Sequence, residues 1–453
     1  MFERIFKLSE HKTTVKTEVM AGITTFMTMA YILAVNPSVL GSTGMDTTAV
    51  LLATALASCL GTLCMAFMAN LPFALSAGMG LNAFMAYTVV AGYGYSWQVA
   101  LFAVFIEGLI FIVLSLTNIR EAIFNAIPLT LKKGVSVGIG LFIAFIGLQN
   151  SGLCVDSATL VTIISFPENF HTAGICALLT LVGLFFTAVF YARKMKGAIL
   201  YGILLTWVLG MICQVTGIYV PTPDAGFYSL FPSWGMTDFS KLGLTFGQCF
   251  NLDFGAVGIV NFIVVIFSFL FVDIFDTLGT LIGVATKAKM LDKDGHLPGI
   301  KPALMADSIA TSAGAILGTS TTTTFVESAS GVAVGGRTGL TALVTGILFL
   351  VSTLFAPIFT AIPSFATAPA LIMVGFLMVG TVTEINFDLD NLTESIPAYL
   401  AIIAMPLFYS ISEGISLGVI SYVLLNLVIA ILFPTIEISN NIDFFRIRCP
   451  FTE

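Results

Sequence analysis

The chain has 453 residues, of which 57% are hydrophobic and only 9% charged, with a mean hydropathy of +1.02. Soluble domains carry about a quarter charged residues, so a cytosolic globular protein is excluded. The net charge of −7 says little about partners, and no nucleic-acid partner is expected, because in such a chain the position of each charge matters more than the sum.

Apolar runs of roughly 20 residues recur from Val19 to Phe433, each matching the ~30 Å hydrocarbon core of a bilayer. Lipid cannot satisfy backbone groups, so only helices or a closed barrel can span it. Runs this continuous lack the alternation of barrel strands. The fold class is an all-α polytopic membrane protein, with about fourteen spans starting near residues 19, 49, 73, 96, 130, 171, 198, 255, 302, 322, 338, 366, 394 and 412. With the N-terminus inside, Arg4, Lys7, Lys12, Lys16, Arg120, Lys132, Lys133, Arg193, Lys194, Lys196, Lys287, Lys289, Lys293, Lys301, Arg337, Arg446 and Arg448 fall on the cytoplasmic side. That leaves only Lys241 of the 18 basic residues outside, the asymmetry expected of cytoplasmic loops. Both termini are then cytoplasmic. No short apolar core with a small-residue cleavage site opens the chain, so the first span is expected to be retained. The cysteines at 59, 64, 154, 176, 213, 249 and 449 show no metal spacing, and most read as small packing residues. No cofactor or metal is expected.

In chain order, the third span is the first irregular one. Ala74-Leu75-Ser76-Ala77-Gly78-Met79-Gly80-Leu81-Asn82 mixes small residues and glycine where a regular helix would favour Leu or Ala. Asn82, carrying donor and acceptor together, is its obvious polar group. Further on, Ala126-Ile127-Pro128 precedes the glycine-rich Val137-Gly138-Ile139-Gly140-Leu141, and Ala361-Ile362-Pro363 precedes Ile372-Met373-Val374-Gly375-Phe376. The offset of 235 residues is close to the spacing between the first and eighth spans. Two related seven-helix halves are expected, residues 1–235 and 236–453. Seven is odd, so the second half sits inverted, as in many secondary transporters with sites at the midplane. The bland alternative is chance recurrence of Ala-Ile-Pro in an Ala/Ile-rich chain.

The eighth span holds Val272-Asp273-Ile274-Phe275-Asp276-Thr277-Leu278-Gly279-Thr280. On a helix Asp273 and Asp276 share one face, with Thr280 a turn beyond Asp276. A carboxylate at membrane depth is costly and persists where it pairs, lines a wet cavity or moves protons. A proton-coupling role follows; the alternative is an acid satisfied by hydroxyls or carbonyls between helices. After it, Asp292-Lys293-Asp294-Gly295 misses the calcium-loop pattern and reads as an exposed turn.

Gly318-Thr319-Ser320 and the threonine run 321–324 are β-favouring and helix-poor. Like the third span, this tenth one precedes a short helical stretch, from about Leu81 and from Glu327. Both are therefore expected to be broken helices, extended backbone followed by a half-helix, in corresponding places of the two halves. A carboxylate at Glu327 is favoured by a helix start and can accept hydrogen bonds from ring N–H groups, while Phe325 can stack on a flat ring. The alternative is an acid that merely caps the helix. Glu107 and Glu413 are read as structural. Gly331–Thr338 nearly matches a phosphate loop, but no nucleotide domain surrounds it, and Arg337 reads as a span end. The only histidines, His11, His171 and His296, fall in tails, loops or span ends, so proton relay must rest on carboxylates. With no Lys or Arg at midplane depth, a neutral, flat, hydrogen-bonding solute suits the site better than an anion.

At these residues the chain resembles the AzgA-like branch of the nucleobase:cation symporter-2 family, the adenine/guanine/hypoxanthine permeases. The resemblance rests on Gly22-Ile23-Thr24-Thr25-Phe26-Met27-Thr28-Met29-Ala30-Tyr31, Gly78-Met79-Gly80-Leu81-Asn82-Ala83-Phe84, Phe275–Leu281, Thr323–Ala329 and Gly335-Gly336-Arg337-Thr338-Gly339, and runs from about residue 3 to 434. It implies fourteen helices in two inverted sevens, a core domain moving against a gate domain, and a substrate held between the third and tenth spans. It also implies that Asp276 and Glu327 are the substrate-facing acids, that Thr280, Phe325, Ser328 and Asn82 line the same pocket, and that a purine is carried with a proton, often by a homodimer. The acidic segment Glu384–Glu394 looks longer than the family's, and no role is assigned to Asp388 or Asp390. The reading is a purine importer of the plasma membrane working by proton symport and alternating access. The rivals are a uniporter or channel for another small neutral solute, and a membrane enzyme, against which the spans hold no His cluster and no nucleophile–base pair.

Overall fold

The computed structural model describes residues 2–117, 127–157, 160–222, 227–232, 235–252, 258–288, 290, 297–385, 387 and 392–432. Arg120, Ala126, Lys289, the turn at 292–295, Asp388, Asp390, Arg446, Arg448 and Cys449 lie outside the described residues.

Local chemistry sets the helix ends. α1 (Val15–Met29) opens on Thr14, whose hydroxyl accepts the Thr17 N–H at 3.3 Å. It breaks at Ala30–Tyr31 and resumes as α2 (Ile32–Gly41), which carries Pro37 and so lacks one ladder hydrogen bond. α3 (Thr47–Cys64) is capped by Asp46, which accepts the Ala49 N–H at 3.0 Å. Then come β1 (Leu75–Ala77), α4 (Met79–Ala83, continued as a wider helix to Gly92), α5 (Trp97–Thr117) and α6 (Leu129–Asn150). An antiparallel hairpin, β2 (Cys154–Ser157) and β3 (Leu160–Ile163), was not expected from the sequence. It is short and lies outside the apolar runs that carried the reading. α7 (Ile175–Ala192) and α8 (Ala198–Val215) follow.

The second half begins with α9 (Ile259–Ala288) and α10 (Ile300–Leu317), the latter stopped by Gly318 at φ +106°. β4 (Thr322–Thr324) leads into α11 (Ser328–Val334), then α12 (Gly339–Ser352), α13 (Ser364–Val379), α14 (Leu392–Leu407) and α15 (Ile411–Leu432). Both irregular spans are broken as expected, with half-helices starting at Met79 and Ser328. Among the described residues, 10 helices are long and apolar enough to cross a membrane, with Met79–Gly92 and Leu392–Leu407 as shorter apolar helices. The protein is a multi-pass helical membrane protein.

The helices pack in two groups. In one, α10 lies on α3 and α5, α12 on α1 and α3, and α11 on α1. In the other, α13 lies on α6, α7 and α8, and α14 on α6 and α15. The second group is built on a backbone contact between α6 and α13. A Cβ on Gly140 would lie 2.7 Å from the Gly375 carbonyl oxygen, and one on Gly375 would meet the Gly140 carbonyl in turn. Small residues let membrane helices approach this closely. Gly375→Leu is expected to cost about 1–3 kcal/mol through overpacking, read as a lower melting temperature of the detergent-purified protein. Gly380→Ala, whose Cβ meets nothing within 4 Å, should leave it unchanged.

Candidate functional site

The two extended segments meet each other. β1 pairs antiparallel with β4, Leu75 opposite Thr324, Ser76 opposite Thr323 and Ala77 opposite Thr322, and all six residues are buried. Such a short, buried ribbon must satisfy its outer edges from its neighbours. Hydroxyls do so. Thr62 Oγ1 accepts the Leu75 N–H at 3.0 Å, and Thr311 Oγ1 donates to the Thr322 carbonyl at 3.1 Å. Ser58 and Ser76 lie 2.7 Å apart, and the Asn36 amide donates to Thr54 at 2.6 Å and Thr319 at 3.0 Å. Pairing extends one step at each end: Gly78 N–H donates to the Thr321 carbonyl at 3.0 Å, and Phe325 N–H to the Ala74 carbonyl at 3.0 Å. The threonine run thus supplies both β preference and a hydrogen-bonding lining.

Two acids converge on this crossing. Asp276 on α9 receives the Thr323 hydroxyl on Oδ2 at 3.3 Å. A Cβ on Gly78 would lie 3.1 Å from that same oxygen, so glycine there lets the carboxylate approach the start of α4. Glu327, between β4 and α11, accepts the Tyr31 hydroxyl on Oε1 at 2.8 Å. Asp276 bonds Thr323 within β4, and Glu327 follows the end of β4 by three residues. Asn82 is fully buried in α4; its Oδ1 accepts from the Ser320 hydroxyl, and among the described residues its Nδ2 is buried without a hydrogen-bond partner. Phe325 is buried directly after β4, and Thr280, a turn beyond Asp276, is half-buried. Ser328 is committed to the crossing itself, its oxygen accepting the Ala74 N–H at 3.0 Å.

Asp273 has other company. Thr277 Oγ1 lies 2.7 Å from Asp273 Oδ1 and 3.2 Å from Asp307 Oδ1 on α10, all three side chains being fully buried. Three residues turn a helix by about 300°, so positions i and i+3 diverge by about 60°. That suffices to aim Asp276 at β4 and Asp273 at α10.

The sequence reading passed over three residues. Asp307, in Ala306-Asp307-Ser308, carried the same signal as Asp276, an acid within an apolar run. Tyr31 carried none, since its partner is 296 residues away. Glu18 directly precedes the first apolar run. It is fully buried and caps α12, accepting the N–H of Arg337 at 2.9 Å and the Thr341 hydroxyl at 2.6 Å. Glu107, read as structural, receives the Thr321 hydroxyl at 2.7 Å. The Arg337 guanidinium donates to the carbonyls of Val332 and Gly336, each at 2.7 Å, at the end of α11. Among the described residues no three His, Cys, Asp or Glu could hold a metal ion.

A helical membrane protein whose broken spans meet beside half-buried acids has the build of a membrane transporter. The sequence profile Xan_ur_permease, described as a permease family, matches residues 16–420, and the chain belongs to that family. The resemblance drawn from its motifs is borne out by the relatives. The adenine permease AdeP of Escherichia coli K12 is 43% identical over 93% of this chain and 89% of its own. The guanine/hypoxanthine permease PbuO of Bacillus subtilis 168 is 45% identical over 92% of this chain and 93% of its own. These relatives are permeases, not enzymes. Among solved structures, the transmembrane domain of the cyanobacterial bicarbonate transporter BicA superposes with a TM-score of 0.62 at 16% identity, covering 89% of this chain and 97% of that one. Murine Slc26a9 in the inward-facing state gives 0.61 at 13% identity, over 91% and 68%. At such identities the likeness shows the fold alone.

Thr277→Val removes a hydroxyl shared by two buried acids, and is expected to destabilise the protein by about 1–3 kcal/mol. The melting temperature of the purified protein, with and without the substitution, checks this.

Proposed function

We propose that the chain imports purine nucleobases, adenine, guanine or hypoxanthine, by proton symport with alternating access. The observation that carries this reading is the convergence of Asp276 and Glu327 on the crossing of β1 and β4 in a chain more than 40% identical to an adenine permease and to a guanine/hypoxanthine permease. Purines are flat and neutral and carry ring N–H donors. Two carboxylates can accept from such donors, Asn82 offers a buried amide N–H, Thr280 adds a hydroxyl, and Phe325 presents a ring for stacking. Ser328 lines the same place while holding Ala74.

A carboxylate at membrane depth is costly to carry across the bilayer uncompensated. A proton travelling with the purine neutralises one acid of the Asp276–Glu327 pair, and Asp273, linked through Thr277 to α10, is the third acid assigned to coupling. We count the ten long helices, the two shorter apolar ones, α10 and α11 as fourteen spans. We assign them to two inverted halves, 1–235 and 236–453. The group around β1 and β4 is the core and the group around α6 and α13 the gate. The contact of Gly140 with Gly375, which are 235 residues apart, supports the repeat, since that is also the offset of the two Ala-Ile-Pro motifs. Arg337, whose N–H bonds Glu18, places a basic residue at the end where α1 starts, and Lys196 bonds Thr24 further along α1 at 3.3 Å. Lys241 pairs with Asp46 at 3.1 Å where α3 starts. This polarity supports cytoplasmic termini in the plasma membrane.

The test is uptake of radiolabelled adenine, guanine and hypoxanthine into cells lacking their own purine permeases, with and without a protonophore. Concentrative uptake that collapses with the protonophore is expected. Asp276→Asn or Glu327→Gln should lower kcat/KM by about 10- to 100-fold. Uptake indifferent to the protonophore would sink proton coupling, and absence of purine uptake would sink the substrate.

A further inference from the structure

The sequence segment Gly22–Tyr31 stood out as a motif, yet the proposed function gives it no role. Its last residue is the one that reaches the site. Tyr31 is 1% exposed, sits at the break between α1 and α2, and spends its hydroxyl on Glu327 Oε1 at 2.8 Å. The approach is built rather than incidental. α11 lies against α1 with Gly331 at the contact, where a Cβ would lie 2.8 Å from the Ala21 carbonyl oxygen and would overlap the Thr25 hydroxyl. Running back from Gly331 to Glu327 on one segment, and forward from Thr25 to Tyr31 on the other, brings phenol and carboxylate together.

We propose that Tyr31 is a positioning residue of the site: its hydroxyl holds one oxygen of Glu327 so that the other, Oε2, faces the ligand. A glutamate side chain has three rotatable bonds, and fixing them before binding removes an entropic cost that each ligand would otherwise meet. The bond also ties the first span to the tenth at the point of ligand contact. This inference rests on the reading of Glu327 as a ligand-contacting acid.

The test is Tyr31→Phe, which deletes one oxygen and leaves the ring in place. Uptake kinetics of the preferred purine should show KM raised about tenfold, with kcat within about twofold of wild type. The purified, unliganded variant should melt with wild type, while its stabilisation by adenine, guanine or hypoxanthine should shrink towards that of Glu327→Gln. A KM equal to wild type overturns the role of Tyr31, even where Glu327→Gln abolishes binding. A lowered unliganded melting temperature with unchanged KM also overturns it, in favour of a packing role. If no purine stabilises the wild type, the substrate reading itself falls, and this one with it.

Discussion

The structure depends on one constraint: backbone that leaves the helix inside a bilayer must find its hydrogen-bond partners within the protein. The antiparallel pairing of Leu75–Ala77 with Thr322–Thr324 meets it with six short residues. Each segment covers the other's inner edge, and hydroxyls of Thr62 and Thr311 cover outer groups. The threonine content of the tenth span, the glycines that end the neighbouring helices and the small residues of the third span all follow from this arrangement. So does the placement of function, because the crossing is lined with polar groups at membrane depth. A carboxylate added there meets donors rather than lipid.

Much of this was legible in the sequence, and the boundary of legibility has a physical cause. Span positions follow from apolar runs, which report on lipid rather than on any partner, so they could be read one at a time. The broken spans were visible because Gly78, Gly80 and the threonine run contradict helix propensity within an apolar window. Asp276 and Glu327 were visible because ionisable groups there are expensive. The partners were not visible. Tyr31 and Glu18 matter through contacts with residues 296 and 319 positions away in the chain, and nothing local announces them, whereas Asp307 carried the signal of an acid in an apolar run but not its partner Thr277, 30 positions away. Asp273 and Asp276 share a face of α9, but that spacing could not tell that Asp276 meets β4 while Asp273 reaches α10 through Thr277. The hairpin Cys154–Ile163 escaped because it lies outside the apolar runs.

The two helix groups divide labour along the same lines. The group around the crossing is held by polar side-chain bonds between distant segments, with Glu18 joining α1 to α12 and Asn36 joining α2 to α3 and the start of the tenth span. The other group is held where α6 and α13 touch through glycine backbones. Polar bonds in a low-dielectric interior are directional and fix positions. Close apolar packing between glycine-bearing helices resists deformation while specifying little chemistry. The first mode of cohesion keeps the geometry of the crossing, and the second makes a stiff apolar contact away from it.

The pairing of β1 with β4 also bears on how the chain is made. Ala77 leaves the ribosome 245 residues before Thr322. At synthesis rates of about 5–20 residues per second, the first broken span waits about 12–50 seconds for its partner. During that interval its extended backbone lacks the strand that later satisfies it. The nascent first half therefore cannot reach its final form by itself, and completion of the crossing makes assembly of the protein a single late event rather than two independent ones.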